Sequence, residues 1–239
     1  MEIQTFEDVE KLNIFAAQRF IEIGKESVAK RGLYTVALSG GSTPKKLYSL
    51  LAKEPLRSQI EWKKIHFFFG DERFVPSNSE ESNFKMADDA LFSKVEIPKE
   101  NIHRFLTEAG DAANVALIME QEIREVFELE TNAFPHFDLV LLGMGTDGHT
   151  ASLFPETSAL KDDKRIVVEN YVAKFESFRL TYTVPTINNA RNVIFLIGGS
   201  DKTEILREVL GGQYVPEKLP SQLIKPHSGN LLILTDIEL

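Results

Sequence analysis

The stretch YTVALSGGSTPKKLYSLL, residues 34–51, sets the pattern from which the fold can be predicted. It opens with five mostly apolar, β-branched or aromatic residues, passes through a turn rich in glycine and serine, and continues with apolar residues at helical spacing. A short buried strand that leads through a glycine turn into a helix is the opening half of a βαβ unit. The segment therefore predicts an α/β protein.

The same alternation extends along the chain. Strand-length apolar runs recur at residues 65–69, 138–142, 193–197 and 231–234, and helical spacing occurs at 9–29, 45–51, 83–92, 112–127 and 202–210. This order predicts a largely parallel sheet with helices on both faces. Residues 165–184 differ, because RIVVENYV and FRLTYTV have no helix between them. They predict a small antiparallel excursion or hairpin.

Composition limits the organisation and the partners. The 239 residues are 43% hydrophobic and no Pro/Gly/Ser-rich linker divides them, so we expect a single domain over residues 1–239. A net charge of -9 argues against a nucleic-acid partner, although a few local cations still suffice for a small anion. Without cysteine, signal peptide or apolar membrane span, we expect a cytoplasmic protein with no membrane partner, present as a monomer or weak homo-oligomer.

Ligands of open α/β sheets bind beyond the carboxyl ends of the strands, so the residues that follow each strand run are the informative ones. After the first run comes a loop with Gly40, Gly41, Ser42 and Thr43, ahead of Pro44. Glycines let the backbone approach an anion, and we expect Thr43 to cap the helix whose free N–H groups favour phosphate. An ordinary strand-to-helix turn is the alternative. The loop lacks the Walker and GxGxxG patterns, so no nucleotide cofactor is expected.

Three charged residues follow HFFFG as Asp71, Glu72 and Arg73. A solvated loop with a local ion pair would explain them, but the planar fork of Arg73 also suits a phosphate or a developing oxyanion. Farther along, Arg179 opens RLTYTVP and Lys202 follows VIFLIGGSD. Either is a surface cation or a source of positive charge for a phosphate. We count Asp71, Arg179 and Lys202 among the candidate substrate-binding residues.

The strand FDLVLLG continues into MGTDGHTASLFP, where Asp147 and His149 lie two residues apart among glycines. A carboxylate beside an imidazole after a buried strand is typical of an acid/base site, although a histidine near a glycine turn is often structural. The pair supplies too few ligands for a metal, and no GxSxG elbow is present. We therefore expect neither a metal nor a serine nucleophile.

Together, ALSGGSTP, FFFGDERFVP with SNF, and DLVLLGMGTDGHTASLFP resemble the 6-phosphogluconolactonase family, within the group that includes glucosamine-6-phosphate isomerases. The resemblance implies a NagB/RpiA-like modified Rossmann fold and a sugar-phosphate site without cofactor or metal. It implies hydrolysis of 6-phospho-D-glucono-1,5-lactone in the oxidative pentose phosphate pathway. His149 matches the residue that activates water, with Asp147 beside it. Residues 40–43, Arg179 and Lys202 match the phosphate side.

The isomerase branch differs from this chain at two positions. By the same resemblance, isomerases carry a tyrosine where this chain has Arg73, and a ring-opening glutamate where it has Phe154. An apolar residue in place of that glutamate suits acyl cleavage. The resemblance leaves open whether Arg73 contacts the phosphate or the lactone carbonyl. Three hypotheses follow: a lactonase, which we favour, an aldose-ketose isomerase or deaminase, and a non-catalytic sugar-phosphate-binding protein.

Overall fold

A computed structural model describes residues 1–238. The helices are α1 (Val9–Arg31), α2 (Ser42–Leu51), α3 (Asn83–Ala90), α4 (Ala112–Val126), α5 (Val184–Asn188) and α6 (Thr203–Gly211). The strands are β1 (Glu2–Thr5), β2 (Tyr34–Leu38), β3 (Ile65–Phe69), β4 (Asp71–Arg73), β5 (Leu139–Leu142), β6 (Val167–Val172), β7 (Ser177–Tyr182), β8 (Asn192–Ile197) and β9 (Asn230–Thr235). None of these helices has the length and apolar character needed to cross a membrane.

Six strands form one parallel sheet in the order β1-β9-β8-β5-β2-β3. All residues of β2 and β5 are buried, and successive residues of a strand point to opposite faces, so both faces of the sheet are covered at its centre. This confirms the predicted α/β class and the largely parallel sheet. The edge strand β1 was not predicted, since EIQT is short, mostly exposed and has a single apolar residue, Ile3.

The predicted antiparallel excursion is confirmed, and it is larger than a hairpin. Strands β6 and β7 pair with each other, and β4 pairs with β7 to complete a three-stranded sheet. Of the two explanations left open for these charges, a solvated loop is therefore wrong, because Asp71–Arg73 form a strand in which Asp71 and Glu72 are buried. Three residues are too few to show a strand periodicity, and the pairing with β7 joins positions more than 100 residues apart in sequence. One hydrophobic cluster contains residues of both sheets.

The fold brings four chain segments to one edge of the parallel sheet. Strands β8, β5, β2 and β3 are adjacent in that order and run in the same direction. The segments that follow them are residues 198–202, 143–149, 39–43 and 70–73. Because these strands are parallel, their carboxyl ends meet at the same edge, where α/β proteins bind ligands.

Candidate active site

A cavity of about 440 Å³ lies at the carboxyl ends of these strands, a volume within the usual range for small-molecule sites. Nine of the ten predicted site residues line it: Gly40, Gly41, Ser42, Thr43, Asp71, Arg73, His149, Arg179 and Lys202. The tenth, Asp147, does not line the cavity but contacts His149. Thus one tertiary arrangement collects residues from four separate sequence motifs.

The glycine-rich loop is fixed at both ends. Gly41 has a φ of 107°, a conformation that favours glycine, and it is the N-cap of α2. The prediction that Thr43 caps this helix was wrong, because α2 already begins at Ser42 and has no side-chain cap. At the other end, the buried Tyr48 hydroxyl donates to the Ser39 carbonyl at 2.8 Å and accepts from the Ser39 N–H at 3.0 Å. The helix thereby holds the strand end from which the loop starts.

Glu72 is a structural residue that orders the segment after β4. Its buried carboxylate accepts the backbone N–H groups of Arg73, Asn83 and Phe84 at 2.7 to 2.8 Å and the Ser82 hydroxyl at 3.0 Å. Burial raises the pKa of Glu72, and these N–H donors oppose that shift. Because Ser82 is also the N-cap of α3, Glu72 ties the start of that helix to the site.

Asp71 is held by polar neighbours at the wall of the cavity. One carboxylate oxygen accepts from the Ser152 hydroxyl at 2.7 Å, while the amide of Asn83 donates to the Asp71 carbonyl at 2.9 Å. Asn83 also packs so closely on Gly40 that any side chain at that glycine would overlap its amide group. Asp71 and Asn83 therefore connect the DER segment to the glycine-rich loop and to the segment after His149.

Arg73 and Arg179 are direct register partners on the antiparallel strands β4 and β7. Arg73 donates to the Glu81 carbonyl, whereas the guanidinium of Arg179 has no hydrogen bond or ion pair within residues 1–238, although only 9% of the residue is exposed. Its guanidinium lies 5.2 Å from the ring centre of Phe175. Burial and then repulsion from Arg73 lower the pKa of Arg179. A buried, unpaired cation facing a cavity favours an anionic ligand.

His149 and Asp147 form a hydrogen-bonded pair after β5. The Nδ1 atom of His149 bonds to Asp147, whose other carboxylate oxygen lies 3.3 Å from Lys174 Nζ. The hydrogen bond from the His149 side chain, with the charge of that imidazole and the hydrogen bond from Lys174, holds the pKa of Asp147 well below its usual range. When neutral His149 donates from Nδ1, its Nε2 carries the free lone pair of a general base. Gly145 lies against the ring, since a Cβ there would overlap the imidazole.

Two aromatic residues form an apolar wall beside the base. Phe154 stacks on His149 with ring centres 4.1 Å apart, and Phe175 meets Phe154 edge to face at 5.7 Å. The wall runs from the imidazole to Arg179, which lies over Phe175. It restricts the orientation of the imidazole and leaves no carboxylate at position 154.

Lys202 follows β8 and lines the same cavity as the glycine-rich loop. It ends a turn of 3₁₀-helix, Ser200–Lys202, and is the N-cap of α6. The two loops touch, because a Cβ at Gly198 would lie 3.1 Å from the Thr43 hydroxyl. No carboxylate of residues 1–238 forms an ion pair with Lys202. Its charge, like that of Arg179, is therefore available to a ligand.

The family described as glucosamine-6-phosphate isomerases/6-phosphogluconolactonase matches residues 7–233. The chain belongs to this family. It is 45% identical over 212 residues to a 6-phosphogluconolactonase of Synechocystis, covering 88% of this chain and 85% of that protein. It is 38% identical over 196 residues to one of Haemophilus influenzae, covering 82% and 80%. The family resemblance drawn from the motifs is thus confirmed.

Solved structures of the family share this architecture. A 6-phosphogluconolactonase from Trypanosoma cruzi superposes with a TM-score of 0.87 at 32% identity, covering 98% of this chain and 93% of that one. One from Trypanosoma brucei gives 0.87 at 30% identity, covering 98% and 95%. These structures support the predicted fold family over nearly the whole chain.

Several residues that shape the site were outside the candidate set, among them Asn83, Ser152, Tyr48 and Phe175. Asn83 and Ser152 lie inside the quoted motifs SNF and DGHTAS, so their position in those motifs was an available signal. Tyr48 lies at a buried position of α2, where the sequence pattern indicates only packing in the core. Phe175 follows from no local pattern, because it belongs to the turn between β6 and β7 and reaches the site only through tertiary packing.

Proposed function

We propose that this protein hydrolyses 6-phospho-D-glucono-1,5-lactone to 6-phosphogluconate, with His149 activating the attacking water. The supporting observation is the His149–Asp147 pair at one cavity that also holds two cations without acidic partners in residues 1–238, Arg179 and Lys202. The relatives named 6-phosphogluconolactonase support the substrate. Small sugar-phosphate lactones are then the partners of this site, and neither a cofactor nor a metal takes part.

The phosphate end of the substrate is assigned to Arg179, Lys202 and the glycine-rich loop. The loop presents backbone N–H groups at the start of α2, where the helix dipole favours an anion. An incoming phosphate replaces the solvent that Arg179 has lost on burial and relieves its repulsion from Arg73. Binding at a group remote from the ester orients the lactone carbonyl relative to His149.

At the ester end, neutral His149 removes a proton from water as the oxygen attacks the lactone carbonyl. Asp147 holds the ring in the tautomer that leaves Nε2 free, and it stabilises the imidazolium that forms. Negative charge develops on the carbonyl oxygen. Arg73 donates one N–H to the Glu81 carbonyl and retains others, which we assign to the substrate, either at the lactone carbonyl oxygen or, beside Arg179, at the phosphate. The ring then opens as the C–O ester bond breaks and the leaving oxygen takes the proton from His149.

His149→Ala tests this assignment. We expect enzyme-dependent hydrolysis to fall by ~100- to 10,000-fold, the usual contribution of a general base, while 6-phosphogluconate still binds. His136, an exposed histidine that bonds to the Asn189 carbonyl, gives the matched control variant His136→Ala, which should keep its rate. Spontaneous hydrolysis is subtracted, and circular dichroism checks the fold. A folded His149→Ala variant with normal turnover would remove His149 from the mechanism.

Glucosamine 6-phosphate distinguishes the lactonase from the isomerase hypothesis within the same family. Phe154 stacks on His149 and supplies no proton-transfer group for ring opening. We therefore expect turnover of fresh 6-phosphogluconolactone and none of glucosamine 6-phosphate. Binding of both sugar phosphates without turnover of either would instead support the non-catalytic alternative.

A further inference from the structure

A second cavity, of about 470 Å³, lies between α6 and the parallel sheet. Phe195 and Ile197 of β8 and Ile233 of β9 form its floor, and Leu206 and Val209 of α6 form its roof. It shares only Met144 with the active-site cavity among the residues that line the two. Its size and its largely apolar lining are those of a small-molecule site.

One cationic side chain, that of Lys225, lines this cavity. Lys225 Nζ lies 4.2 Å from the ring centre of Tyr214, and it forms no ion pair with a carboxylate of residues 1–238. The polar side chains farther in are already engaged. Ser221 donates to the Gly148 carbonyl at 2.8 Å, and Gln222 bonds to backbone groups at 2.8 and 3.0 Å. A ligand therefore meets largely apolar walls and a single cationic side chain, that of the exposed Lys225.

We propose that this cavity binds a small amphipathic carboxylate and that its occupancy weakens substrate binding at the active site. The apolar chain lies between α6 and the sheet, and the carboxylate pairs with Lys225. Charge complementarity selects this class. An uncharged apolar ligand would leave Lys225 without an anionic partner, and the second carboxylate of a dicarboxylate would have no further cationic side chain in the lining to pair with.

Three contacts link the cavity to the catalytic segments. Met144, whose side chain is buried, separates the two cavities. The backbone N–H and hydroxyl of Ser221 both donate to the carbonyl of Gly148, the neighbour of His149. Helix α6 begins directly after Lys202. A ligand that displaces Met144 and α6 therefore shifts the segment that carries His149 and the position of Lys202. Both shifts move substrate-binding groups away from their places in the unliganded protein, so substrate binds more weakly.

Octanoate is the probe, and isothermal titration calorimetry measures its binding to the full chain. Each methylene removed from the probe should raise the Kd by about fourfold, from the usual transfer free energy of a buried CH₂. Lys225→Gln should weaken binding by about tenfold, and octanol should bind as weakly as octanoate does to that variant. Val209→Trp fills the roof and should abolish binding. Leu117→Trp, at an exposed position of α4, is the matched control and should bind normally.

The coupling rests on the proposed function, since it takes 6-phosphogluconate as the active-site ligand. Saturating octanoate should raise the Kd of 6-phosphogluconate by about fivefold or more, and 6-phosphogluconate should raise that of octanoate by the same factor. If no lactone is hydrolysed, the octanoate titrations of the wild type and variants still show whether the second cavity binds a carboxylate. Thermal unfolding shows whether Val209→Trp keeps its fold. Lys225→Gln changes an exposed side chain, so it tests the role of the charge even if Val209→Trp does not fold.

Several outcomes would overturn the inference. These are the absence of octanoate binding, equal binding by Val209→Trp and the wild type, or a Kd that does not depend on chain length or on Lys225. Octanoate that binds without changing the Kd of 6-phosphogluconate would refute the coupling. A wild-type dimer that Lys225→Gln dissociates in sedimentation would show that a second copy covers the cavity instead.

Discussion

Replacing Arg179 with methionine should stabilise the unliganded protein while weakening its binding of substrate. Relief of the cross-strand repulsion from Arg73 contributes ~0.2 to 1 kcal/mol. Exchange of a buried, unpaired charge for an apolar chain adds on the order of 1 kcal/mol. Loss of the contact with Phe175 costs ~0.5 to 1 kcal/mol. We therefore expect the free energy of unfolding to rise by about 1 kcal/mol.

Substrate binding should change in the opposite direction. A hydrogen bond between a guanidinium and a phosphate contributes ~1.5 to 3 kcal/mol, or roughly one to two decades in affinity. The value of kcat/KM for 6-phosphogluconolactone should fall by that factor in Arg179→Met, and kcat should fall less, because His149 is unchanged. Lys202→Met should show the same kinetic effect with little change in stability, since Lys202 is more exposed than Arg179.

Urea denaturation and steady-state kinetics measure the two effects. Unphosphorylated gluconolactone is the substrate control and should lose little kcat/KM in either variant. Arg57→Met removes an exposed arginine paired with Glu54 and is the matched protein control, expected to be neutral in both assays. If Arg179→Met unfolds at lower urea than the wild type, Arg179 has a favourable partner in the fold. Equal losses for both lactones would show that Arg179 acts at the ester and not on the phosphate.

Three further predictions concern the geometry of the site and its independence of metal. Gly145→Ala should displace the His149 ring and lower kcat by about tenfold or more with the fold retained, whereas Gly211→Ala, which meets only open space, should be neutral in the same assay. Tyr48→Phe leaves the backbone N–H and carbonyl of Ser39 without their partner, so urea denaturation should show a loss of ~1 to 3 kcal/mol and kinetics a raised KM. EDTA should leave the rate unchanged, because no group of three or more potential ligand residues within residues 1–238 is arranged for a metal; a chelator-sensitive rate restored by zinc would contradict this.

The sequence by itself determined the fold class and most of the site. Apolar runs such as YTVAL and VIFLI are buried on both faces, a local pattern that the sequence displays directly. Ligands bind at the carboxyl ends of such strands, so residues just after them were sound candidates, and nine of the ten chosen line one cavity. Their catalytic and binding roles stay predictions until the variants are measured.

Tertiary structure decided what depends on pairing between distant segments. β4 exists because Asp71–Arg73 lies beside β7, and that pairing sets Arg73 opposite Arg179. No spacing in the sequence could reveal this juxtaposition, since strand register depends on the packing of both strands and not on either alone. Glu72 shows the same limit. Its charge alone gave no role, whereas in the fold the start of α3 lies against its carboxylate, which accepts the backbone N–H groups of Asn83 and Phe84.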